Sequence, residues 1–363
     1  MASLRERALS YYKERESVFD LLFFLGGFLF DVVTLSEVDS WFSLGQQIFF
    51  LASVGLILYF KTTALPQEAG DILSFKGKIW AFHDPVLHFM LGGLLSTYSL
   101  FFLKSSSVSA SLLFVFFLMI LMAANEMSGF RRRMALKSAL YFVCVFCFMS
   151  MVYPLALGFV GLTPFLLAFL TTLVLVASAT RLIHHRVSGE KAIKDFGAPG
   201  GVVALVFLVL YLFGMIPPVP VSIHHLGVYH SVERVNGGYE ALHEQPWWRF
   251  WSLGDQDFRA EPGDRIFFFT RIFSPSRFDD SVVIHWQQRD ADGRWSSTDR
   301  IPMRIRGGRR EGYRGFTVKQ NYSSGDWRIL VETTDGREIG RIRFKVTQVL
   351  EASTGRRFER ISL

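Results

Sequence analysis

The chain of 363 residues carries 39 Lys+Arg against 32 Asp+Glu, a formal net charge of +7, yet half of it is apolar and its mean hydropathy is +0.28. Of its 37 Phe, 27 precede Pro217, whereas residues 217–363 hold 23 of the Lys+Arg and 19 of the Asp+Glu. An apolar, charge-poor front joined to a charge-dense tail excludes a soluble enzyme and a disordered chain, and reads as an integral membrane protein with one extramembrane domain.

A bilayer core of about 30 Å takes about 20 apolar residues per helix. Seven stretches qualify, at 18–35, 44–60, 85–103, 108–124, 136–159, 163–180 and 200–215, so residues 18–216 read as a seven-span α-helical bundle. The first span follows a mixed-charge leader, residues 1–17, and lacks a small-x-small cleavage site, so it is expected to persist rather than leave as a signal peptide. Asp31 lies inside that span, about one turn after Gly26 and Gly27. An intramembrane acid needs a polar partner or a cavity, which makes Asp31 a candidate functional residue; near the end of a helix it also reaches the headgroups. His83-Asp84-Pro85 reads first as an N-cap followed by proline, with His88 one turn on. An acid–base pair is the alternative there. Asn125-Glu126 and His184-His185 sit beside basic loops and read as charge clusters at helix ends. Cys144 and Cys147 fall within the fifth span, where burial suppresses thiolate chemistry, so both read as small packing residues. Pro217, Pro218 and Pro220 then forbid further helix.

Basic residues alternate loop by loop. The leader (Arg5, Arg7, Lys13, Arg15) and the second, fourth and sixth loops hold 15 of them, against Lys104 alone in the first, third and fifth loops. Positive loops stay in the cytoplasm, so the N-terminus is expected there and residues 217–363 across the membrane.

After a proline-rich junction at 217–226, the pattern changes to period two. Arg341-Ile342-Arg343-Phe344-Lys345-Val346 alternates strictly, as a strand with one wet face must. Asp292-Gly293 and Asp335-Gly336 are hairpin-turn signals between such runs. With strands expected at 228–235, 247–252 and 265–273, about eight in all, residues 227–348 read as an antiparallel β-sandwich, followed by a basic tail at 349–363. The 147 residues from Pro217 contain no cysteine and are long enough to bury a core without disulfides. His224, His225, His230 and His243 gather just past the membrane, but their spacing is not that of a zinc site, and no metal is expected. Trp247, Trp248 and Trp251 flank Arg249 and Phe250; one strand face would be core, the other an aromatic platform for a sugar or the membrane interface. The tail's basic residues are 21 Arg and two Lys. Arg304, Arg306, Arg309, Arg310 and Arg314 surround Gly307-Gly308 and are read as a glycine-hinged hairpin able to converge on one anion, or else as an edge strand guarded by charge.

The run Gly307-Gly308-Arg309-Arg310-Glu311-Gly312-Tyr313-Arg314-Gly315-Phe316, then Gly325-Asp326-Trp327-Arg328 and Asp335-Gly336-Arg337-Glu338-Ile339-Gly340-Arg341, resembles the C-terminal domain of the bacterial domain-of-unknown-function family 2914. Gly26-Gly27-Phe28-Leu29-Phe30-Asp31 and Ile216-Pro217-Pro218-Val219-Pro220 with Tyr229-His230 resemble its longer, polytopic members. The resemblance implies a bacterial envelope protein and brings no activity or catalytic residue. No nucleophile elbow, zinc-protease, phosphate-loop or dinucleotide motif occurs, and no cofactor is expected. The expected function is a non-enzymatic inner-membrane protein whose periplasmic β-sandwich binds an anionic lipid, a glycan or an envelope protein. The alternative is a membrane-embedded enzyme or carrier for a lipid-linked or small polar substrate, with the β-domain as specificity module. Nucleic acid is not an expected partner, because the charged domain faces away from the cytoplasm; the sequence sets no oligomeric state.

Overall fold

Six apolar helices precede eleven strands in a computed structural model that describes residues 39–63, 83–106, 110–126, 133–244, 248, 254–275, 277–307, 312–349 and 356–363. The helices are α1 (Trp41–Thr63), α2 (His83–Lys104), α3 (Ala110–Glu126), α4 (Met134–Leu157), α5 (Leu162–His184) and α6 (Gly189–Leu212). Five of them are long and apolar enough to cross a membrane. α3, at 17 residues, is shorter than a full span, and the span expected at 18–35 lies outside the described residues, so the described residues do not confirm the count of seven. The last span is not the shortest. It begins eleven residues before the apolar run at 200, because Ser188 caps the Lys191 N–H and a π turn at Ile193–Gly197 carries the helix past Lys191 and Lys194. Asp84 is not an N-cap either: α2 already includes His83, and the Asp84 carboxylate binds two lysines instead.

The chain divides into two compact units. The first holds Met1–Phe101, Phe116–Phe148 and Leu170–Phe207. Its buried side chains along α2 and α4 are mostly apolar, including Leu87, Leu91, Leu94, Phe142 and Phe146, with Ser96, Ser99, Lys137 and Ser138 buried among them, and Phe146 packs on Phe207 with ring centroids 4.1 Å apart. Cys144 and Cys147 are both buried and reduced among them. Large apolar side chains such as Phe49, Phe116, Leu170 and Val202 face outward, as lipid-facing helices require.

The second unit holds Phe102–Val115, Met149–Phe169 and Leu208–Leu363. Its β-domain comprises β1 (Ser222–Tyr229), β2 (Ser231–Val235), β3 (Gly238–His243), β4 (Asp257–Ala260), β5 (Ile266–Phe273), β6 (Asp279–Arg289), β7 (Trp295–Arg306), β8 (Tyr313–Lys319), β9 (Gly325–Thr333), β10 (Glu338–Gln348) and β11 (Glu359–Ser362). Three sheets form, in the orders β1-β5-β8, β4-β10-β9-β6-β7 and β11-β3-β2. The main core, with Phe268, Trp286, Trp327, Ile329 and Phe344, lies between the first two sheets. A second core of Tyr229, Val232, Ala241, Phe269 and Leu363 seats the small sheet on the other side of β5. That is why β5 reads Ile-Phe-Phe-Phe without alternation: both its faces are buried.

The turn signals place β6–β7 and β9–β10 as antiparallel hairpins, with Gly293 and Gly336 at positive φ. Elsewhere the order departs from expectation. The run 228–235 breaks at His230 into β1 and β2, which enter different sheets. β4 pairs with β10 in parallel, β1 starts inside the expected junction, and β11 folds the C-terminal stretch onto β3. Except for Trp248, which sits in a turn, the strand expected at 247–252 lies outside the described residues. The turn between α4 and α5 also belongs to the β-domain's core: Val160 is buried in it, the Val160 N–H donates to Asp280 Oδ2 (3.1 Å), and the Asp279 N–H donates to the Gly158 carbonyl (2.9 Å).

Candidate functional site: the outer face of the five-stranded sheet

Strand alternation sends Val282, Ile284 and Trp286 of β6 and Trp327, Ile329 and Val331 of β9 into the core, so His285, Gln287, Arg328 and Glu332 emerge on the opposite face. On β10 the same rule puts Arg341, Arg343 and Lys345 there, and on β7 Arg300, Arg304 and Arg306. The pairing register then forms rows across the sheet: Arg343 opposite Arg328, Arg328 opposite Gln287, Gln287 opposite Ser297, and His285 opposite both Leu330 and Arg300. Ser297 reaches this face only because β7 carries an extra residue. Asp299 pairs with Trp286 and Ser297 with Gln287, so Thr298 bulges and bonds the Trp286 carbonyl (3.2 Å). Such a bulge re-aims the side chains beyond it.

An outer face usually stays wet, yet His285, Gln287 and Glu332 are only 6%, 8% and 8% exposed. Buried polar groups must be hydrogen-bonded, and these are. His285 Nδ1 lies 3.3 Å from both Glu332 carboxylate oxygens, and Nε2 lies 2.8 Å from Ser297 Oγ. Beside a carboxylate, Nδ1 carries the proton, which leaves Nε2 to accept from the serine hydroxyl. Arg300 Nη2 donates to Glu332 Oε2 (3.3 Å). The Gln287 amide nitrogen lies 3.1 Å from the same imidazole Nε2, and its oxygen accepts from Arg328 Nε. The Arg328 guanidinium lies 4.4 Å above the Trp295 ring. Burial and the neighbouring Arg341 and Arg343 hold the Arg328 pKa below its ordinary value, outweighing Glu338 and Glu332. The site therefore combines a rigid His–Glu–Ser chain with a rim of guanidinium groups, and could hold an anion or activate a hydroxyl.

Residues 279–346 match the family described as "Protein of unknown function (DUF2914)". That stretch runs from the start of β6 into β10 and is where the chain is similar to the family. Every residue of the outer-face site falls inside that stretch, whereas the polytopic features at 26–31 and 216–230 lie outside it. No curated protein matches the chain. Among solved structures, the chain is similar to Pseudomonas fluorescens alkylpurine DNA glycosylase AlkC bound to DNA containing an abasic site analog, at 12% identity, covering 86% of this chain and 100% of that one with a TM-score of 0.23. At that score no shared fold follows.

The β-domain separates the arginines read as one cluster. β7 and β8 are not a hairpin: β7 is the edge of the five-stranded sheet and β8 the edge of the three-stranded one. Arg304 forms a bidentate pair with Asp279 (2.8 and 2.7 Å), Arg306 lies beside it opposite Asp279, and Arg314 faces Arg271 on β5. Arg309 and Arg310 lie outside the described residues, as do Trp247, Trp251 and Asp31; Trp248 is half exposed. The four histidines do not converge. His224 stacks on Phe273, and the His225 ring bonds the Tyr229 hydroxyl (2.8 Å). His230 lies on Phe258 (3.9 Å) among Glu244, Asp255, Asp264 and Arg356. Among the described residues no group of three or more His, Cys, Asp and Glu is arranged to hold a metal ion. In the helical unit, Asp84 accepts from Lys61 (2.6 Å) and Lys137 (2.7 Å), and His88 pairs with Asn125 (3.1 Å) rather than with Asp84.

His285, Ser297, Arg328 and Glu332 carry no motif that a sequence search would flag. Alternation on β6 and β9 does place His285 and Glu332 on the wet face, but only the bulge brings Ser297 to them.

Proposed function

We propose that the chain is a bacterial inner-membrane protein with a cytoplasmic N-terminus, and that its periplasmic β-domain binds an acidic envelope component on the outer face of the five-stranded sheet. The membrane side rests on the 15-to-one division of basic residues among the loops. Its agreement with the fold is that the α2–α3 turn, the α4–α5 turn and the end of α6, all expected opposite the basic loops, share one unit with the β-domain.

The observation that carries the binding reading is the Arg343–Arg328 pair. Like charges directly across a sheet destabilise it. Arg341 beside them is bound bidentately by Glu338, but Arg328 donates to a neutral amide and faces another guanidinium. An anion between the two guanidiniums would relieve that repulsion through charge-assisted, forked hydrogen bonds. Anionic lipid headgroups and acidic glycans share this chemistry.

The test uses the full chain in nanodiscs of zwitterionic lipid, titrated with short-chain phosphatidylglycerol and, separately, with lipopolysaccharide or peptidoglycan fragments. One of them should bind, more weakly as salt rises because screening acts within about 10 Å at 0.1 M. Arg328→Glu with Arg343→Glu should abolish that binding with the melt retained. A wild-type chain that ignores all three at low salt overturns the reading.

The rival, a membrane-embedded enzyme or carrier, draws on the buried Lys137 and the Lys61–Asp84–Lys137 cluster within α1, α2 and α4. Replacing Asp84 and losing function while the outer-face double variant keeps it would favour that reading.

A further inference from the structure

We propose that Ser297, His285 and Glu332 form a nucleophile–base–carboxylate triad, and that the β-domain hydrolyses carboxylic esters carried on an anionic molecule. The triad stands on its own geometry; only the anionic character of the substrate rests on the binding reading above.

A serine nucleophile needs a base within about 2.6–3.2 Å, and the base needs a third group to hold its tautomer and orientation. Ser297 Oγ lies 2.8 Å from His285 Nε2, and the Glu332 carboxylate spans His285 Nδ1 at 3.3 Å from both oxygens. Arg300 fixes Glu332 from the far side. Three strands contribute: β6 the histidine, β9 the carboxylate, β7 the serine. The arrangement also costs something that packing alone does not explain. A buried His–Glu pair on the solvent side of a sheet loses hydration that apolar residues there would not need. A bulge in β7, at the one place that turns a serine toward the imidazole, is a second departure from regular structure at the same point. Bulges recur beside active sites for this reason.

In the first step Ser297 Oγ attacks the ester carbonyl carbon while His285 Nε2 takes the hydroxyl proton. The tetrahedral oxyanion collapses, the C–O bond to the leaving alcohol breaks, and His285 returns the proton to that oxygen. Water then attacks the acyl-serine by the same route, releasing the carboxylic acid and restoring Ser297. The Gln287 amide nitrogen, oriented by Arg328 on its oxygen, lies 3.1 Å from His285 Nε2, and its second N–H is the donor assigned to the oxyanion. Arg343 and Arg328 would take the anionic group of the substrate. Ser297 and His285 are the catalytic residues; Glu332 and Arg300 are positioning residues.

The experiment treats the full chain in detergent micelles with a fluorophosphonate probe, locates the adduct by mass spectrometry, and follows p-nitrophenyl acetate hydrolysis. Ser297 should be labelled, with an acyl burst approaching one equivalent. Ser297→Ala should lose both. His285→Gln should slow labelling about 10²–10⁴-fold, the usual contribution of general base catalysis. Ser296→Ala, one residue away and outside the site, should change neither. Glu332→Gln should shift the pH profile of the labelling rate, and Glu332→Asp should restore it, which a merely structural carboxylate would not do. An unlabelled Ser297 in a chain that still melts as wild type, or labelling that is unchanged by His285→Gln, overturns the triad. Labelling at Ser297 with no preference for anionic over neutral esters, unchanged by Arg343→Glu, overturns only the anionic substrate and leaves the triad standing.

Discussion

Burial and the Arg356 guanidinium push the His230 pKa down from 6.5 to about 4, against the opposing pull of Asp264 and Glu261. The folded imidazole therefore stays neutral through a range in which the unfolded one takes up a proton. Between pH 6.5 and pH 4 the unfolded state binds more protons, so stability falls as pH falls and levels off below about 4. His225, pushed to about 4 by burial and by Arg271, acts in the same window. Each contributes at most on the order of 3 kcal/mol, reduced by whatever solvent reaches the ring. The melting temperature of the full chain in detergent should drop across this window, and His230→Gln should remove about half of the slope; an equal slope in the variant would show that the carboxylates around Arg356 dominate instead. Glycine matters at two places where backbone crowds backbone. A Cβ on Gly307 would overlap the Pro275 carbonyl, and one on Gly158, at φ +82°, would lie 2.6 Å from the Arg277 carbonyl. Alanine at Gly158 should destabilise by about 1–3 kcal/mol through the strain of its left-handed backbone, and alanine at Gly307 by a similar amount, about 1–3 kcal/mol, by forcing the overlapped Pro275 carbonyl aside; both are measurable as a lower melt.

At the level of elements, the β-domain is completed by a helix–helix turn. Val160 between α4 and α5 is buried among Phe278, Val282 and their neighbours in the main core, and two hydrogen bonds, one backbone–backbone and one to the Asp280 carboxylate, tie residues 158–160 to the start of β6. Tyr211 near the end of α6 extends the same seam: Phe165 stacks on it at 3.6 Å and the Arg337 guanidinium lies 4.6 Å above it. A fragment starting at residue 222 keeps every strand and lacks these residues. It should melt cooperatively, but at a lower temperature than the same domain in the full chain, and Val160→Ala in the full chain should cost about 1–2 kcal/mol. A fragment as stable as the intact domain would show that the turn is only an accessory. The β7 bulge works at this scale too. Removing Thr298 would restore regular pairing with Asp299 still opposite Trp286 and Ser297 still opposite Gln287, so Ser297 would keep the outer face and only the local distortion of the bulge would be lost.

For the whole molecule, the division of basic residues predicts that a reporter fused after Leu363 is active only on the periplasmic side. Alkaline phosphatase there should be active and a green fluorescent protein dark; the reverse pattern would refute the orientation. A fusion in the loop at Lys76 should behave oppositely.

Some of this architecture is decided locally and is legible along the chain. A helix in lipid satisfies its backbone within itself, so its signal is an apolar run of fixed length; the runs at 44–60, 85–103, 136–159 and 163–180 become α1, α2, α4 and α5. Asp-Gly at 292–293 and 335–336 demands a tight turn through its own φ, and both hairpins form. The Arg341–Val346 alternation likewise declares one wet face before any partner is known. Sheet membership is a different matter. That β7 and β8 part into separate sheets, that β4 joins β10 in parallel and that Val160 enters the core all depend on residues distant in the chain. The arginines around Gly307 are neighbours in sequence, yet the fold divides Arg304 and Arg306 from Arg314. The site at His285, Ser297 and Glu332 gathers residues up to 47 positions apart. It exists only because the pairing register and one bulge align them, and in a β-sheet that register is set by the assembled core and not by any strand alone.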